Sequence, residues 1–141
     1  MPDEVLLRVD EIDVFYGSLQ VLWDVSIEVK AGEIVAVAGA NGAGKTTLMK
    51  TISGMLHPVK GSIEFAGQDI TSMNAYDIVG HGISQVPEGR RLFPEMTVLD
   101  NLMIGSYDGK ARAVKKENLE RVYDLFPILA ERKNQVAKTC L

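Results

Sequence analysis

Nine residues, Gly39-Ala-Asn-Gly-Ala-Gly-Lys-Thr-Thr47, constrain this chain more than any other stretch of it. The first eight satisfy the pattern G-x-x-x-x-G-K-S/T at every position. Their context matches as well. Ile34-Val-Ala-Val-Ala38, continuously apolar, enters the loop and predicts a strand buried on both faces of a mainly parallel sheet. From Lys45 the spacing of Leu48, Met49 and Ile52 predicts a helix, with Gly54 as its stop. Each residue type in the loop has a chemical reason. Glycines permit backbone angles and close approaches that a Cβ would block. Successive N–H groups can then form an anion nest at the positive end of a helix dipole. Lys45 supplies a point charge for the β- and γ-phosphates, and the Thr46 hydroxyl is a candidate Mg²⁺ ligand. A purely structural glycine turn between strand and helix would leave the Lys-Thr pair unexplained. The stretch therefore predicts a site for a nucleoside triphosphate with Mg²⁺, without saying which of the many nucleotide-using machines it serves.

The rest of the chain predicts one α/β domain. Val5–Val9 and Ile12–Tyr16 are short β-prone runs closed by a Gly17-Ser18 turn, and Val25–Val29 alternates apolar with polar residues. Lys30–Glu33 is the next turn. His57-Pro58 and Lys60-Gly61 mark another before a strand at Ser62–Ala66. A short helix near Asn74–Val79, a strand at Ile83–Val86 and an irregular Pro87–Pro94 follow. Thr97–Met103 reads as a helix capped at or near Thr97, and Ala111–Phe126 as a charged helix with Val114, Leu119, Val122 and Phe126 on its apolar face. Trp23 is expected in the core, and His57 and His81 in turns without a chemical role.

Composition excludes several classes of function. The net charge of −4 leaves no basic stripe to displace counterions from phosphates, so nucleic acid is not an expected partner. No apolar run reaches the roughly 18–20 residues that span a bilayer. The single cysteine, Cys140, suits a reducing cytosol, and the acidic N-terminus has no secretory-leader pattern.

Tyr16 lies at a strand end 23 residues before the loop, where its ring reads equally as a stacking platform for a base or as core packing. Glu88-Gly-Arg-Arg-Leu-Phe-Pro94 places polar residues directly after the strand expected to end at Val86.

The ordered set Phe15-Tyr-Gly17, Val25-Ser26, Gly39–Thr47, Gly61-Ser-Ile63 and Val86-Pro-Glu-Gly-Arg-Arg-Leu-Phe-Pro94 resembles the ATP-binding subunits of ABC transporters. The Val-Pro-Glu-Gly-Arg segment, with Thr97-Val98 and Asn101-Leu102 after it, is similar to the branched-chain amino acid importers within that family. The resemblance covers essentially the whole chain. It implies a P-loop NTPase fold of ABC ATPase type: a mixed sheet, an N-terminal antiparallel β subdomain and the start of a helical subdomain. It implies ATP and Mg²⁺ as ligands, with Tyr16 on adenine, and with Gly39, Asn41, Gly42, Ala43, Gly44, Lys45, Thr46 and Thr47 around the phosphates. Of the candidates for the residue that meets Mg²⁺ and the attacking water, the spacing back from Phe93-Pro94 selects Glu88. Gln85 is left as a polar strand residue. Lys45 and Glu88 are thus the expected catalytic groups, and Thr46 and Glu88 the metal ligands. Arg90, Arg91 and Phe93, with the helices after them, are expected to contact permease membrane subunits.

The further partners implied are a second nucleotide-binding subunit, identical or different, and indirectly a periplasmic or extracellular substrate-binding protein. The implied location is the cytoplasmic face of the cell membrane, held there through the permease.

In the family, an LSGGQ-type signature, an acidic residue after a second apolar strand and a late histidine complete the catalytic set. No Ser-Gly-Gly occurs here, and no four apolar residues downstream of the loop are followed by Asp or Glu. The resemblance therefore implies the N-terminal part of a longer domain, with the C-terminal half missing. A piece of that kind should leave Ile34–Ala38 with open edges and uncovered faces, and should hold nucleotide without turning it over. Two other readings differ in kind: a soluble ABC-type ATPase of DNA repair or translation, and a non-catalytic nucleotide-binding fragment.

Overall fold

The computed structural model describes residues 3–89 and 91–140, which fall into two compact units, 1–85 and 86–141. The first unit is organised by β1 (Val5–Tyr16), which pairs antiparallel with β2 (Leu19–Lys30) on one side and β3 (Lys60–Phe65) on the other. A two-residue strand, β4 (Gln68–Asp69), extends β3, so the order is β2-β1-β3-β4. Two helices complete the unit: α1 (Lys45–Ile52) and α2 (Ala75–His81).

The two β-prone runs of the sequence form one continuous strand because of a bulge. Val9 and Ile12 are three residues apart, so a regular strand would turn them to opposite faces. Both are buried, at 1% and 0% exposure, because Glu11 adopts φ 46° and absorbs the extra residue. The Glu11 N–H, lost to the ladder, donates instead to Ser26 Oγ at 2.8 Å. Asp24 on β2 makes a second kink at φ 48°, and its N–H donates to Asp13 Oδ1 at 2.8 Å. The result is one apolar face, with Val9, Ile12, Val14, Leu22 and Ile63 against Leu48 and Ile52 of α1 and Ile78 of α2. Trp23, adjacent to buried Leu22, points to the opposite face and is 64% exposed, contrary to the expected core position.

Gly61 sits directly against the bulge. A Cβ there would lie 2.4 Å from the carbonyl oxygens of both Asp10 and Glu11, and φ is +83°. Helix ends follow the sequence signals. Asn74 caps α2 by accepting from the Asp77 N–H, and Gly54 turns the chain after α1 at φ 84°. His81 closes the last turn of α2 rather than lying in a turn; its Nδ1 is 2.8 Å from the Asp77 carbonyl.

Two predicted strands do not form. Ile34–Ala38 and Ile83–Val86 join no ladder, so Gln85 is not on a strand. Ile34 is 97% and Val86 94% exposed. The reason is lateral: among the described residues no strand lies beside either run, and an apolar run without ladder partners has nothing to bury itself against. The uncovered apolar faces anticipated for Ile34–Ala38 are present; the ladder with open edges is not.

The second unit is helical: α3 (Val98–Ile104), α4 (Gly109–Ala113), α5 (Lys115–Leu125) and α6 (Pro127–Glu131). Thr97 caps α3, its Oγ1 accepting from the Asp100 N–H at 3.1 Å, and also bridges to Val136. Asn101 fastens the preceding loop by accepting from the Phe93 N–H and donating to the Phe93 carbonyl. The single helix expected over Ala111–Phe126 is two helices. Asp108 caps an earlier start, and Val114, at φ −116° and ψ 15°, breaks the hydrogen-bond ladder. Leu119 and Val122 remain half-buried. Val114, at the break, and Phe126, beyond the last turn of α5, are exposed.

Gly61→Ala should destabilise the first unit by well over the ~1–2 kcal/mol of left-handed strain alone, because two carbonyl oxygens must also move. Gly67→Ala, at φ +78° with open space around it, should cost only that strain. Urea unfolding of the two variants against the parent checks the difference.

Candidate functional site: the loop from Gly39 to Thr47

The loop leaves the exposed run Ile34–Ala38 and enters α1 through two left-handed glycines, Gly42 at φ 83° and Gly44 at φ 93°. Gly44 is the N-cap of α1 and offers no side-chain oxygen to the helix. The first bond of the helix is Leu48 N–H to the Gly44 carbonyl at 2.9 Å. The N–H groups of Lys45, Thr46 and Thr47 precede that bond, so they are the orphan donors of the helix start. No acidic residue occupies the first turn of α1 to neutralise them. This end of the helix is therefore built to attract an anion.

The structure places the predicted residues as follows. Gly39, Asn41, Gly42 and Ala43 are exposed along the loop, and the Ala43 N–H closes a turn onto the Ala40 carbonyl at 3.1 Å. Lys45 folds back over the loop, its Nζ donating to the Gly39 carbonyl at 2.5 Å. The ammonium thus rests on a loop carbonyl, an exchangeable partner that a phosphate oxygen could replace. Thr46 is exposed and its hydroxyl is available to a ligand, whereas Thr47 is 5% exposed. Thr47 therefore offers a ligand its main-chain N–H; its carbonyl accepts from Thr51 Oγ1 at 2.7 Å.

Tyr16 ends β1 at the Gly17-Ser18 turn and is 40% exposed. The Nζ of Lys50, on α1, lies 6.0 Å from its ring centroid, at the outer limit of a cation–π contact. The spacing of the loop motif gave no sign of Lys50, since only the folded helix carries it round to Tyr16. Leu22 was missed in the same way. Its Cδ2 lies 2.5 Å from where a Cβ on Gly44 would stand, and in the sequence it is one apolar strand residue among many.

Glu88 belongs to the second unit, in an exposed bend before Gly89. Arg91 and Phe93 are exposed in the same segment, Phe93 at 52%, while Arg90 lies outside the described residues. Among the described residues, no group of three His, Cys, Asp or Glu side chains is placed to hold a metal. The Thr46 hydroxyl, exposed at the start of α1, is an oxygen donor of the kind Mg²⁺ takes alongside phosphate oxygens.

Similarity to known proteins agrees with this geometry. The chain superposes on a nucleotide-free ATP-binding cassette from an ABC transporter with a TM-score of 0.79 and 28% identity, over 97% of this chain and 59% of that one. A cassette in its ADP conformation gives a TM-score of 0.77, again at 28% identity. Fold and loop together define a P-loop NTPase of ABC ATPase type. The family model for ABC transporters matches residues 22–140, and the chain belongs to that family. It is 41% identical over 134 residues to the high-affinity branched-chain amino acid transport ATP-binding protein BraG of Pseudomonas aeruginosa, spanning 95% of this chain and 57% of BraG. It is 34% identical over 124 residues to LivF of Archaeoglobus fulgidus, a probable branched-chain amino acid transport ATP-binding protein, spanning 88% of this chain and 52% of LivF. The chain thus spans a little over half the length of the relatives it matches.

Lys45→Ala should leave unfolding within about 0.5 kcal/mol of the parent, since its one bond is exposed. Gly44→Ala should cost about 1–3 kcal/mol, from left-handed strain and displacement of Leu22. Thermal or urea unfolding separates the two.

Proposed function

We propose that this chain binds ATP with Mg²⁺, and that the cassette to which it corresponds energises the import of branched-chain or other hydrophobic amino acids. The observation that carries the binding reading is the start of α1: orphan N–H groups of residues 45–47, two left-handed glycines before them, and the Lys45 ammonium across the loop. In this reading Gly39, Asn41, Gly42, Ala43 and Gly44 shape the cradle. The Lys45 side chain and the amides of Lys45, Thr46 and Thr47 hold the phosphates. The Thr46 hydroxyl serves Mg²⁺ and Tyr16 stacks on adenine; for Glu88, in the second unit, the role of meeting Mg²⁺ and the attacking water rests on the family resemblance alone. When bound, Mg²⁺ would supply positive charge against the phosphate oxygens.

The import reading is supported by the names of the relatives, BraG and LivF, both ATP-binding proteins of branched-chain amino acid transport. It carries the expected partners with it: permease membrane subunits, a second nucleotide-binding subunit, and a substrate-binding protein acting through the permease. Among the described residues no helix is long and apolar enough to cross a membrane, so attachment to one would run through the permease. With neither a signature motif nor an acidic Walker-type strand end in its 141 residues, the chain by itself is proposed to bind without steady turnover.

Binding of a fluorescent ATP analogue with Mg²⁺ tests the site. Lys45→Ala should weaken affinity about 10–100-fold, the value of a hydrogen bond to a charged group. Tyr16→Ala should weaken it about 2–10-fold and narrow the preference for ATP over a triphosphate without a base. Unchanged affinity in Lys45→Ala sinks the phosphate-loop reading. ATP hydrolysis by this chain that is lost in Lys45→Ala sinks the proposal that it does not turn over.

A further inference from the structure

We propose that Leu22, seventeen residues before the phosphate loop begins, is a positioning residue for that loop and sets its place relative to the Tyr16 platform. The inference rests on the nucleotide-binding reading above and deepens it. Of the three glycines in the loop, Gly42 has open space around its missing Cβ, and Gly39 faces only Ala43 and Lys45 of the loop and helix themselves. Gly44 alone meets the rest of the fold there. The three atoms nearest its missing Cβ are Leu22 Cδ2 at 2.5 Å, the Val21 carbonyl oxygen at 3.6 Å and Leu22 Cγ at 3.8 Å.

The chain entering the loop gives no comparable anchorage, since residues 32–43 are all exposed and Ile34–Ala38 joins no ladder. Leu22 itself is fixed. It is 4% exposed and pairs across the sheet with Val14, which is fully buried. Its carbonyl accepts from Gln20 Nε2 at 3.0 Å. Val14 is two residues from Tyr16 on the same strand. One rigid path therefore runs from the base platform through Val14 and Leu22 to Gly44, whose peptide aims the first free amides of α1. Leu22 touches no ligand group; it acts by fixing where Gly44 stands. A misplacement of about 1 Å at such a point is enough to cost a large factor in a site that depends on alignment.

The test uses the full chain and three variants. Leu22→Ala empties the contact, Leu22→Met refills it with an unbranched side chain, and Ile52→Ala removes a similar core side chain from the far end of α1. Two readouts are taken below the melting temperature of every variant. One is hydrogen exchange without nucleotide at the amides of Leu48 and Ala43, whose acceptors are the Gly44 and Ala40 carbonyls. The other is affinity for Mg-ATP and for inorganic tripolyphosphate. Leu22→Ala should speed exchange at Leu48 and weaken both ligands by about tenfold, and Leu22→Met should recover most of both. Ile52→Ala should lower the melting temperature comparably yet leave both readouts within about twofold of the parent. The proposal is overturned if Ile52→Ala matches Leu22→Ala in both readouts, or if Leu22→Ala leaves exchange at Leu48 unchanged. Should the parent bind neither ligand, the nucleotide reading fails, while the exchange measurement still decides whether Leu22 holds the loop.

Discussion

The bulge at Glu11, braced by Gly61, is the constraint on which the first unit depends. β1 is held between β2 and β3 along both of its sections, so those sections must present their apolar residues to the same core. An odd spacing between Val9 and Ile12 forbids that in a flat strand, and the left-handed Glu11 restores it. The close approach of β3 at that point leaves no room for a Cβ, which is why glycine stands at position 61. From this repaired register follow the burial of Val14 and Leu22 and the emergence of Tyr16 at the hairpin tip.

The same geometry gives the proposed nucleotide site two unequal halves within the first unit. The phosphate half is made from main chain: amides not yet in the helix ladder, angles only glycine adopts readily, and one ammonium. Such a half is insensitive to most side-chain identities but sensitive to where its backbone is held. The base half is a single ring at a turn, already facing the Lys50 ammonium on α1. A cation so placed is drawn electrostatically to the π-face of the ring, which stays 40% exposed.

How much could be read from residues alone depended on whether the cause was local. Gly39–Thr47 was legible because backbone sterics and helix electrostatics act within nine residues. The cap at Thr97 was legible for the same reason. The continuous β1 was not, because two β-prone runs separated by Asp10 and Glu11 look like two strands until a cross-strand serine takes the orphan N–H. Trp23 was misplaced because hydrophobicity does not report which side of a pleat a residue occupies beside a kink. Ile34–Ala38 has the composition of a buried strand, yet burial needs neighbours, and its own residues cannot supply them.

That last segment also bears on how the loop is held. In a strand with partners on both sides, the run into Gly39 would fix the loop from its N-terminal end through ladder hydrogen bonds. Here those bonds are absent, and the weight falls on the C-terminal end, where α1 packs Leu48 and Ile52 into the core and Gly44 rests on Leu22. That end holds the amides of residues 44–47 to the core, while Gly39 is tied only within the loop, its carbonyl accepting from the Lys45 ammonium. In the proposed site the amides of the helix start are therefore the part positioned through the core of the first unit.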